Sequence, residues 1–159
     1  MGSGKSHWGG IWAQKHGMNF YDIDHIIEKE TGLSITQIFE QKGEGFFREK
    51  ETEALQAFQY KTNCIVATGG GSPCFNNNMQ WMNDHGATIF LSAGIDHIYQ
   101  NVSQEQSQRP LLKGKTKEEL FAFIEKKMTE RLSIYQQAQL ILQAEQLNEE
   151  SLNFIITQI

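Results

Sequence analysis

Four short apolar segments, separated by longer amphipathic stretches, constrain the fold of this chain more than any other feature. They are the segments Asn19–Asp22, Cys64–Ala67, Thr88–Leu91 and Leu140–Gln143. Three of them are apolar almost throughout, which is typical of strands that are covered on both faces. Strands that alternate with helices form parallel sheets, so the sequence predicts an α/β fold.

The intervening stretches carry helix start signals and helical periodicity. Ser34 with Gln37, and Thr116 with Glu119, fit the capping box, in which two side chains bond to each other's backbone across the first turn. Apolar residues recur at helical spacing behind both boxes. The predicted helices cover residues 34–43, 46–60, 116–138 and 149–158.

A length of 159 residues favours a single domain over residues 1–159. With 14 Lys and Arg against 19 Asp and Glu, the net charge of −5 argues against binding to nucleic acid or to a membrane surface. No apolar run approaches the ~20 residues of a membrane-spanning helix. Two cysteines are too few for a disulfide framework, so we expect a cytoplasmic protein. No unpartnered apolar stripe remains, which favours a monomer.

The opening residues Gly2-Ser3-Gly4-Lys5-Ser6 match the second half of the phosphate-loop pattern G-x-x-x-x-G-K-[ST]. Glycines let backbone N–H groups turn toward an anion, Lys5 reaches the β- and γ-phosphates of a nucleotide, and Ser6 offers a hydroxyl to Mg²⁺. A Gly/Ser tail with an accidental match is the alternative interpretation.

The first glycine of this pattern falls before Met1, and no strand precedes the loop. The strand that feeds such a loop lies centrally in its sheet. We therefore expect a truncated record, in which Met1 is an internal methionine of the loop. The first strand of the sheet is then missing from this chain, which leaves a gap.

Two carboxylates, Asp22 and Asp24, stand at the end of a predicted strand. Residues i and i+2 leave a strand on the same side, so both can face a cleft at its carboxyl end. One can hold a Mg²⁺ ion through water while the other accepts a hydrogen bond from a substrate hydroxyl. The alternative is a solvated strand-to-helix turn with an Asp cap.

Three consecutive glycines, Gly69, Gly70 and Gly71, directly follow the predicted strand Cys64–Ala67 and Thr68. Such a run costs chain entropy and adds no packing, so it favours a position where backbone approaches a ligand closely. A tight exit from the strand is the alternative.

The chain has eleven lysines but only three arginines, Arg48, Arg109 and Arg131. Arginine offers a planar fork that binds carboxylate or phosphate with two hydrogen bonds. Glu51, three residues after Arg48 on one predicted helix, can orient that guanidinium. Ordinary surface ion pairs are the alternative for each arginine.

The polar segment from residue 103 to 115 has no periodicity and contains Gly and Pro. A stretch of this length without secondary structure is either a functional lid or a disordered loop. Arg109 lies within it.

Taken in order, these motifs resemble those of the shikimate kinases, a phosphate-loop (P-loop) family related to the nucleoside monophosphate kinases. The similarity covers almost the whole chain. It runs through GSGKS (2–6), DID (22–24), IFEQKGEGFFREKE (38–51), GGG (69–71), RPLL (109–112) and R-x-x-x-Y (131–135). The first motif occurs in many unrelated ATPases, whereas the ordered set is far more specific.

The resemblance implies a three-layer α/β/α sandwich around a parallel sheet, of the P-loop kinase type. It implies a shikimate-binding region over residues 22–51 and a mobile lid over residues 103–117. The implied reaction transfers the γ-phosphoryl group of ATP to the 3-hydroxyl of shikimate, a step toward chorismate and the aromatic amino acids. The implied partners are ATP, ADP and shikimate, with Mg²⁺ as the cofactor.

Residue roles follow from the matching positions. The ATP-binding residues are expected at Gly2, Ser3, Gly4, Lys5, Ser6 and Arg109, and the Mg²⁺ ligands at Ser6 and Asp22. The shikimate-binding residues are expected at Asp24, Arg48, Gly69, Gly70, Gly71 and Arg131. The catalytic residues are expected at Lys5, Asp24 and Arg109, with Asp24 as base or orienting group for the attacking hydroxyl and Arg109 reaching the transferring phosphoryl group.

The sequence departs from the family at Val102, where an arginine that stacks on adenine is usual. Two other hypotheses remain. One is another small-molecule kinase on the same fold, such as a gluconate kinase. The other is a non-catalytic domain that binds nucleotide and regulates or scaffolds.

Overall fold

The computed structural model describes residues 2–104, 112 and 114–156 of the chain. The helices are α1 (Lys5–His16), α2 (Ile23–Thr31), α3 (Ile35–Gln41), α4 (Gly43–Gln56), α5 (Asn78–His85), α6 (Ile95–Gln104), α7 (Lys117–Tyr135) and α8 (Ser151–Ile156). The strands are β1 (Asn19–Asp22), β2 (Cys64–Ala67), β3 (Ile89–Ser92) and β4 (Leu140–Gln143). Two short 3₁₀ turns cover Ser72–Cys74 and Ala144–Gln146.

The four predicted strands are present, and three have the predicted bounds. The strand predicted at Thr88–Leu91 is shifted by one residue and occupies Ile89–Ser92. Thr88 lies just before the strand, and its side chain bonds to neighbouring segments of the chain. Its hydroxyl bonds to Asn83 and accepts from the backbone N–H of Gln139.

The strands pair in parallel as two separate two-stranded sheets, β1 with β2 and β3 with β4. In the described part of the chain, no pairing joins β2 to β3. Between them lies a cavity of about 420 Å³, lined on one side by Ile65 and Val66 and on the other by Ile89, Phe90 and Leu91. The described strands therefore leave a gap between β2 and β3.

Helices cover both faces of the strands. Along β2, Cys64 and Val66 pack with α2, α3 and α4 in one core cluster. Ile65, between them, packs in a second cluster with α1 and α8 through Trp12 and Ile155. Because neighbouring strand residues point to opposite faces, this alternation places β2 between two layers of helices. The apolar composition of β2 is explained by that double coverage.

A third core cluster joins α6 to α7 and holds the end of the chain's polar segment. Ile98 and Val102 of α6 pack against Leu120 and Ile124 of α7, and Leu112 is buried between them. Residues 103 and 104, predicted to begin the lid, belong to α6, and residue 117 begins α7. Residues 105–111 and 113 of the predicted lid lie outside the described residues.

Both predicted capping boxes are confirmed, at Ser34 and at Thr116. The helix predicted over 46–60 begins earlier, at Gly43, and ends at Gln56, and the helix predicted over 116–138 ends at Tyr135. Both helices were predicted to end too late for the same reason. The residues after each helix hydrogen-bond three positions back, in tight turns that do not continue the α-helix. Among the described residues, no helix combines the length and apolarity needed to cross a membrane.

Candidate active site

The residues from Gly2 to Ser6 form a tight turn that leads directly into α1. Gly2 and Gly4 have φ of +65° and +82°, in the left-handed region that L side chains rarely adopt. Gly4 is the N-cap of α1, and it offers no side chain to the backbone N–H groups of the first turn. Those N–H groups and the positive end of the helix dipole suit a phosphate group.

Helix α6 holds this loop in place. The Asn101 side-chain amide donates to the Gly2 carbonyl oxygen at 2.7 Å. A Cβ atom on Gly2 would lie only 2.7 Å from Cγ2 of Val102, so the loop and the helix are in close contact. Val102 is itself fully buried. The residue that stands where the family usually has arginine is thus a core residue beneath the loop, with no surface to offer a nucleotide base.

Ser6 and Asp22 place two oxygen ligands side by side. The Ser6 hydroxyl donates to Oδ2 of Asp22 at 2.7 Å, and Oδ1 of Asp22 accepts from the backbone N–H of Asp24 at 3.0 Å. Asp22 therefore also caps α2, as the alternative interpretation of this motif predicted. Hydroxyl and carboxylate oxygens are the ligands that Mg²⁺ prefers, and Mg²⁺ needs few of them from protein when phosphates supply the others. The pair fits a Mg²⁺ site.

Asp24 does not leave a strand, contrary to the prediction that both carboxylates project from β1. The strand ends at Asp22 because that side chain caps α2, which begins at Ile23 and includes Asp24 in its first turn. Oδ1 of Asp24 lies 3.3 Å from the position that a Cβ atom on Gly69 would take. The carboxylates consequently face different partners, Asp22 the phosphate loop and Asp24 the glycine run.

The glycine run leaves room for charged side chains of α4. A Cβ atom on Gly69 would lie 2.5 Å from Oε1 of Glu51, and one on Gly71 would lie 2.6 Å from Nη1 of Arg48. Neither glycine has a positive φ, so close approach and not backbone conformation excludes larger residues here. Gly70 accepts a hydrogen bond from the Tyr135 hydroxyl through its carbonyl oxygen. The run is thus a tight contact between the end of β2, α4 and α7.

Arg48 is buried, with only 8% of its surface exposed to solvent. Two glutamates hydrogen-bond its guanidinium group. Its Nη1 donates to Oε2 of Glu51, while Nε and Nη2 donate to Oε1 of Glu44 at 3.1 and 2.8 Å. Ser72 donates to the other oxygen of Glu51. Burial lowers the pKa of Arg48, but Glu51 and Glu44 outweigh it and hold that pKa above its ordinary value. The guanidinium is fixed and fully charged.

Arg131 of α7 hydrogen-bonds the Tyr135 side chain, whose hydroxyl donates to the carbonyl oxygen of Gly70. Both Arg131 and Arg48 act electrostatically on the Cys74 thiol and on the Tyr135 hydroxyl. Burial raises the pKa of Cys74 and of Tyr135, and the two arginines oppose that rise. The fold therefore assembles two cations from distant parts of the chain beside the glycine run. We call Asp24, Arg48, Gly69–Gly71 and Arg131 the arginine site.

Comparisons with known proteins identify the family of this chain. The family profile described as shikimate kinase matches residues 1–159. The shikimate kinase of Bacteroides thetaiotaomicron is 37% identical over 94% of this chain and 85% of its own length. That of Persephonella marina is 38% identical over 91% of this chain and 85% of its own length. The chain belongs to the shikimate kinase family.

Solved structures of the family share the fold. A shikimate kinase from Bacteroides thetaiotaomicron superposes with a TM-score of 0.93 at 34% identity, over 99% of this chain and 94% of the other. One from Acinetobacter baumannii, in complex with shikimate, has a TM-score of 0.85 at 30% identity, over 99% and 87%. The predictions of a shikimate kinase family member, of an ATP-dependent phosphotransferase and of the P-loop kinase fold are confirmed.

Three residues that bond to the arginine site had no role assigned to them from the sequence. Glu44 and Ser72 both bond within the Arg48 network, and Tyr135 anchors the glycine run. Helical spacing carried a signal for Glu44, which stands four residues before Arg48. Tyr135 appeared only as part of the R-x-x-x-Y motif, and no local pattern indicated Ser72. Arg109, predicted to bind ATP and the transferring phosphoryl group, lies outside the described residues.

Proposed function

We propose that this chain transfers the γ-phosphoryl group of ATP to the 3-hydroxyl group of shikimate. One observation carries the proposal, namely the convergence of Arg48 and Arg131 beside Gly69–Gly71. Two cations at one place fit an acceptor that bears a carboxylate, because guanidinium groups bind carboxylates with paired hydrogen bonds. The similarity to a shikimate kinase in complex with shikimate supports the same acceptor.

The phosphate loop is proposed as the ATP site. Backbone N–H groups between Gly2 and Ser6 surround the β- and γ-phosphates, and Lys5 neutralises charge that develops during transfer. Arg109 is proposed to reach the same phosphoryl group. Gly2 and Gly4 permit the turn because their backbone is left-handed.

Ser6 and Asp22 are the residues that would hold Mg²⁺, Ser6 directly and Asp22 mostly through water. When bound, Mg²⁺ supplies positive charge to the phosphate oxygens and orients them. The side chains already lie 2.7 Å apart, Oγ to Oδ2, so little rearrangement is needed to bring both to one ion.

Asp24 is proposed to accept a hydrogen bond from the attacking hydroxyl of shikimate. Its carboxylate lies against Gly69, in the same glycine run whose Gly71 contacts Arg48. Phosphoryl transfer passes through a loose transition state, so orientation of the hydroxyl matters more than early removal of its proton. Asp24 then takes that proton as the new O–P bond forms and ADP leaves.

Coupled measurement of ADP release tests the proposal, with shikimate, gluconate or no acceptor present. Shikimate-dependent release is expected in the wild type and is expected to fall by orders of magnitude in Lys5→Met. Lys15→Met is the matched control, since Lys15 lies on the same helix but pairs with Glu149 and Glu150 at the surface. Turnover that depends on gluconate, or that persists in Lys5→Met, contradicts the proposal.

We further infer that ATP, ADP and shikimate are the partners of a cytoplasmic monomer that binds neither nucleic acid nor membrane. The net charge of −5 supports this, because the positive charge needed by small anions is confined to the arginine site and the phosphate loop. Sedimentation at assay concentrations tests the monomer, and a mass of twice 18.2 kDa contradicts it.

A further inference from the structure

The guanidinium of Arg48 is already occupied by carboxylates. Among its five N–H groups, three donate to glutamates, two to Oε1 of Glu44 and one to Oε2 of Glu51. A ligand carboxylate that is to accept two hydrogen bonds from Arg48 must therefore compete with these glutamates for its N–H groups. The pairing with Glu44 uses Nε and Nη2, one of the two edges at which a guanidinium binds a carboxylate through a pair of bonds.

The two glutamates differ in how readily they can leave. The Glu51 side chain is 1% exposed, and its second oxygen accepts from Ser72, so its displacement strands a charge in the core. The Glu44 side chain is 53% exposed and lies in the first turn of α4. Water can solvate Glu44 as soon as it leaves Arg48. Glu44 is therefore the exchangeable partner.

Arg48 itself cannot move to avoid the competition. Its guanidinium carbon lies 4.4 Å from the ring centre of Phe75 and 5.2 Å from that of Phe47. Its Nη atoms also lie against the backbone of Gly71, where no Cβ atom fits. A ligand must therefore come to Arg48 where it stands.

Charge adds to the competition. Arg48 with Glu44 and Glu51 carries a net charge of −1, so these two glutamates offset the attraction of Arg48 for an anion, and Arg131 provides the remaining positive charge of the arginine site. An incoming carboxylate next to Glu44 places two like charges at one guanidinium, which is unfavourable in a partly buried site.

We propose that Glu44 competes with the carboxylate of the acceptor for Arg48 and is displaced when the acceptor binds. This inference rests on the proposed function, because it takes shikimate as the acceptor. Glu44 then sets the affinity for the acceptor, while Arg48, fixed by Glu51, provides the contact. Its role is to determine the KM for the carboxylate-bearing substrate and not the rate of phosphoryl transfer.

Steady-state kinetics of Glu44→Gln test this proposal, with Glu49→Gln as the matched control. Glu49 is exposed on the same helix and is not bonded to Arg48, so its replacement removes the same charge without the competition. Glutamine retains the shape of Glu44 but not its charge. The KM for shikimate is expected to fall about two- to fivefold in Glu44→Gln, the range that a half-exposed ion pair yields, while kcat and the KM for ATP stay at wild-type values.

The same kinetics are then measured with methyl shikimate, an ester that lacks the free carboxylate. Glu44→Gln should leave its KM unchanged, because no carboxylate competes for Arg48. An unchanged or higher KM for shikimate in Glu44→Gln, or an equal fall in Glu49→Gln, overturns the inference but leaves the proposed function standing. Absence of shikimate-dependent turnover in the wild type overturns the proposed function and this inference with it.

Discussion

Arg48 shows how closely a single functional side chain can be constrained. Two glutamates, two aromatic rings and the backbone of Gly71 surround its guanidinium. Glu51 in turn is held by Ser72. Breaking a buried pair of this kind leaves an uncompensated charge, which costs about 3–5 kcal/mol. The charge that we propose binds the acceptor is therefore also built into the core.

Arg131 is less enclosed, so its replacement isolates ligand binding from folding. Arg131→Ala is expected to weaken shikimate binding by about 2–3 kcal/mol, as for loss of a charged hydrogen bond, with ATP binding nearly unchanged. Calorimetric titration with each ligand measures both. Lys127→Ala is the control, because Lys127 lies on α7 but pairs with Glu130. Equal weakening of both ligands contradicts the assigned role.

The pKa of the Cys74 thiol depends on the same two arginines, Arg48 and Arg131. Burial raises its pKa, and Arg131 and Arg48 oppose the rise. A raised pKa means less thiolate at neutral pH, so alkylation by iodoacetamide should be slower than for a free thiol and should still increase above pH ~8.5, the ordinary value. Arg131→Ala removes one opposing charge and should shift this profile to still higher pH.

Mass spectrometry of the modified peptides measures the profile, and Cys64 is the internal control. Burial also raises the pKa of Cys64, but Lys61 opposes it there and Arg131 is not involved. A Cys74 profile that does not move in Arg131→Ala contradicts the electrostatic coupling.

The sequence pointed to the charged side chains of the candidate site more clearly than to the residues that hold them in position. Arg48 and Arg131 stood out because arginine is rare in this chain, and Gly69–Gly71 because glycine runs are costly. Their roles remain predictions. Ser72 could not be found in this way, since its partner Glu51 lies on another element and only the fold brings the two together.

Helix α1 contains two adjacent glycines, Gly9 and Gly10, that have different packing environments. A Cβ atom on Gly9 would lie 2.8 Å from the ring of Phe20 and 3.4 Å from Ile65, whereas one on Gly10 would meet nothing within 4 Å. Gly9 thus allows α1 to approach β1 and β2 closely. Gly10 has no such role and only reduces helix propensity.

Alanine substitutions should therefore have opposite effects. Gly10→Ala is expected to raise the free energy of unfolding by about 0.5–1 kcal/mol, because alanine loses less entropy in a helix. Gly9→Ala is expected to lower it by about 1–3 kcal/mol through overpacking against Phe20. Urea titration measures both, and each variant is the control for the other. Destabilisation by Gly10→Ala contradicts the assignment of free space at that position.

Helix ends could be predicted where the residues that define them are close together in the sequence. The capping boxes at Ser34 and Thr116 were confirmed because side chain and backbone partners are three residues apart. The ends of α4 and α7 were placed too late, because a tight turn that follows a helix retains helical spacing. At α2 an Asp cap was considered only as the alternative to a site carboxylate, and Asp22 does cap that helix.

For the whole molecule, the cavity between β2 and β3 is the main departure from close packing. It separates two small parallel sheets, each with an edge toward the other, and its walls are chiefly apolar. Protein interiors are normally packed to crystal density, and strand edges without partners readily accept another strand.

Addition of a strand tests this description. Four to five β-branched residues joined ahead of Met1 are expected to pair with both edges and to raise Tm by roughly 4–8 °C, the shift that about 2 kcal/mol gives in a domain of this size. A Gly/Ser extension of equal length is the control. Equal Tm values for the two extensions would show that the cavity does not accept a strand.

Helix α7 also spans the molecule from the end of the polar segment to the glycine run. It begins at Lys117, directly after Thr116, and its last residue, Tyr135, donates to the carbonyl oxygen of Gly70. Nineteen residues give a rod of about 28 Å. A tilt of about 5° around the Tyr135 end would move the other end by roughly 2 Å, most of a hydrogen-bond length. A rigid tilt of α7 at the glycine run would therefore be amplified into a displacement at Lys117 large enough to make or break contacts there.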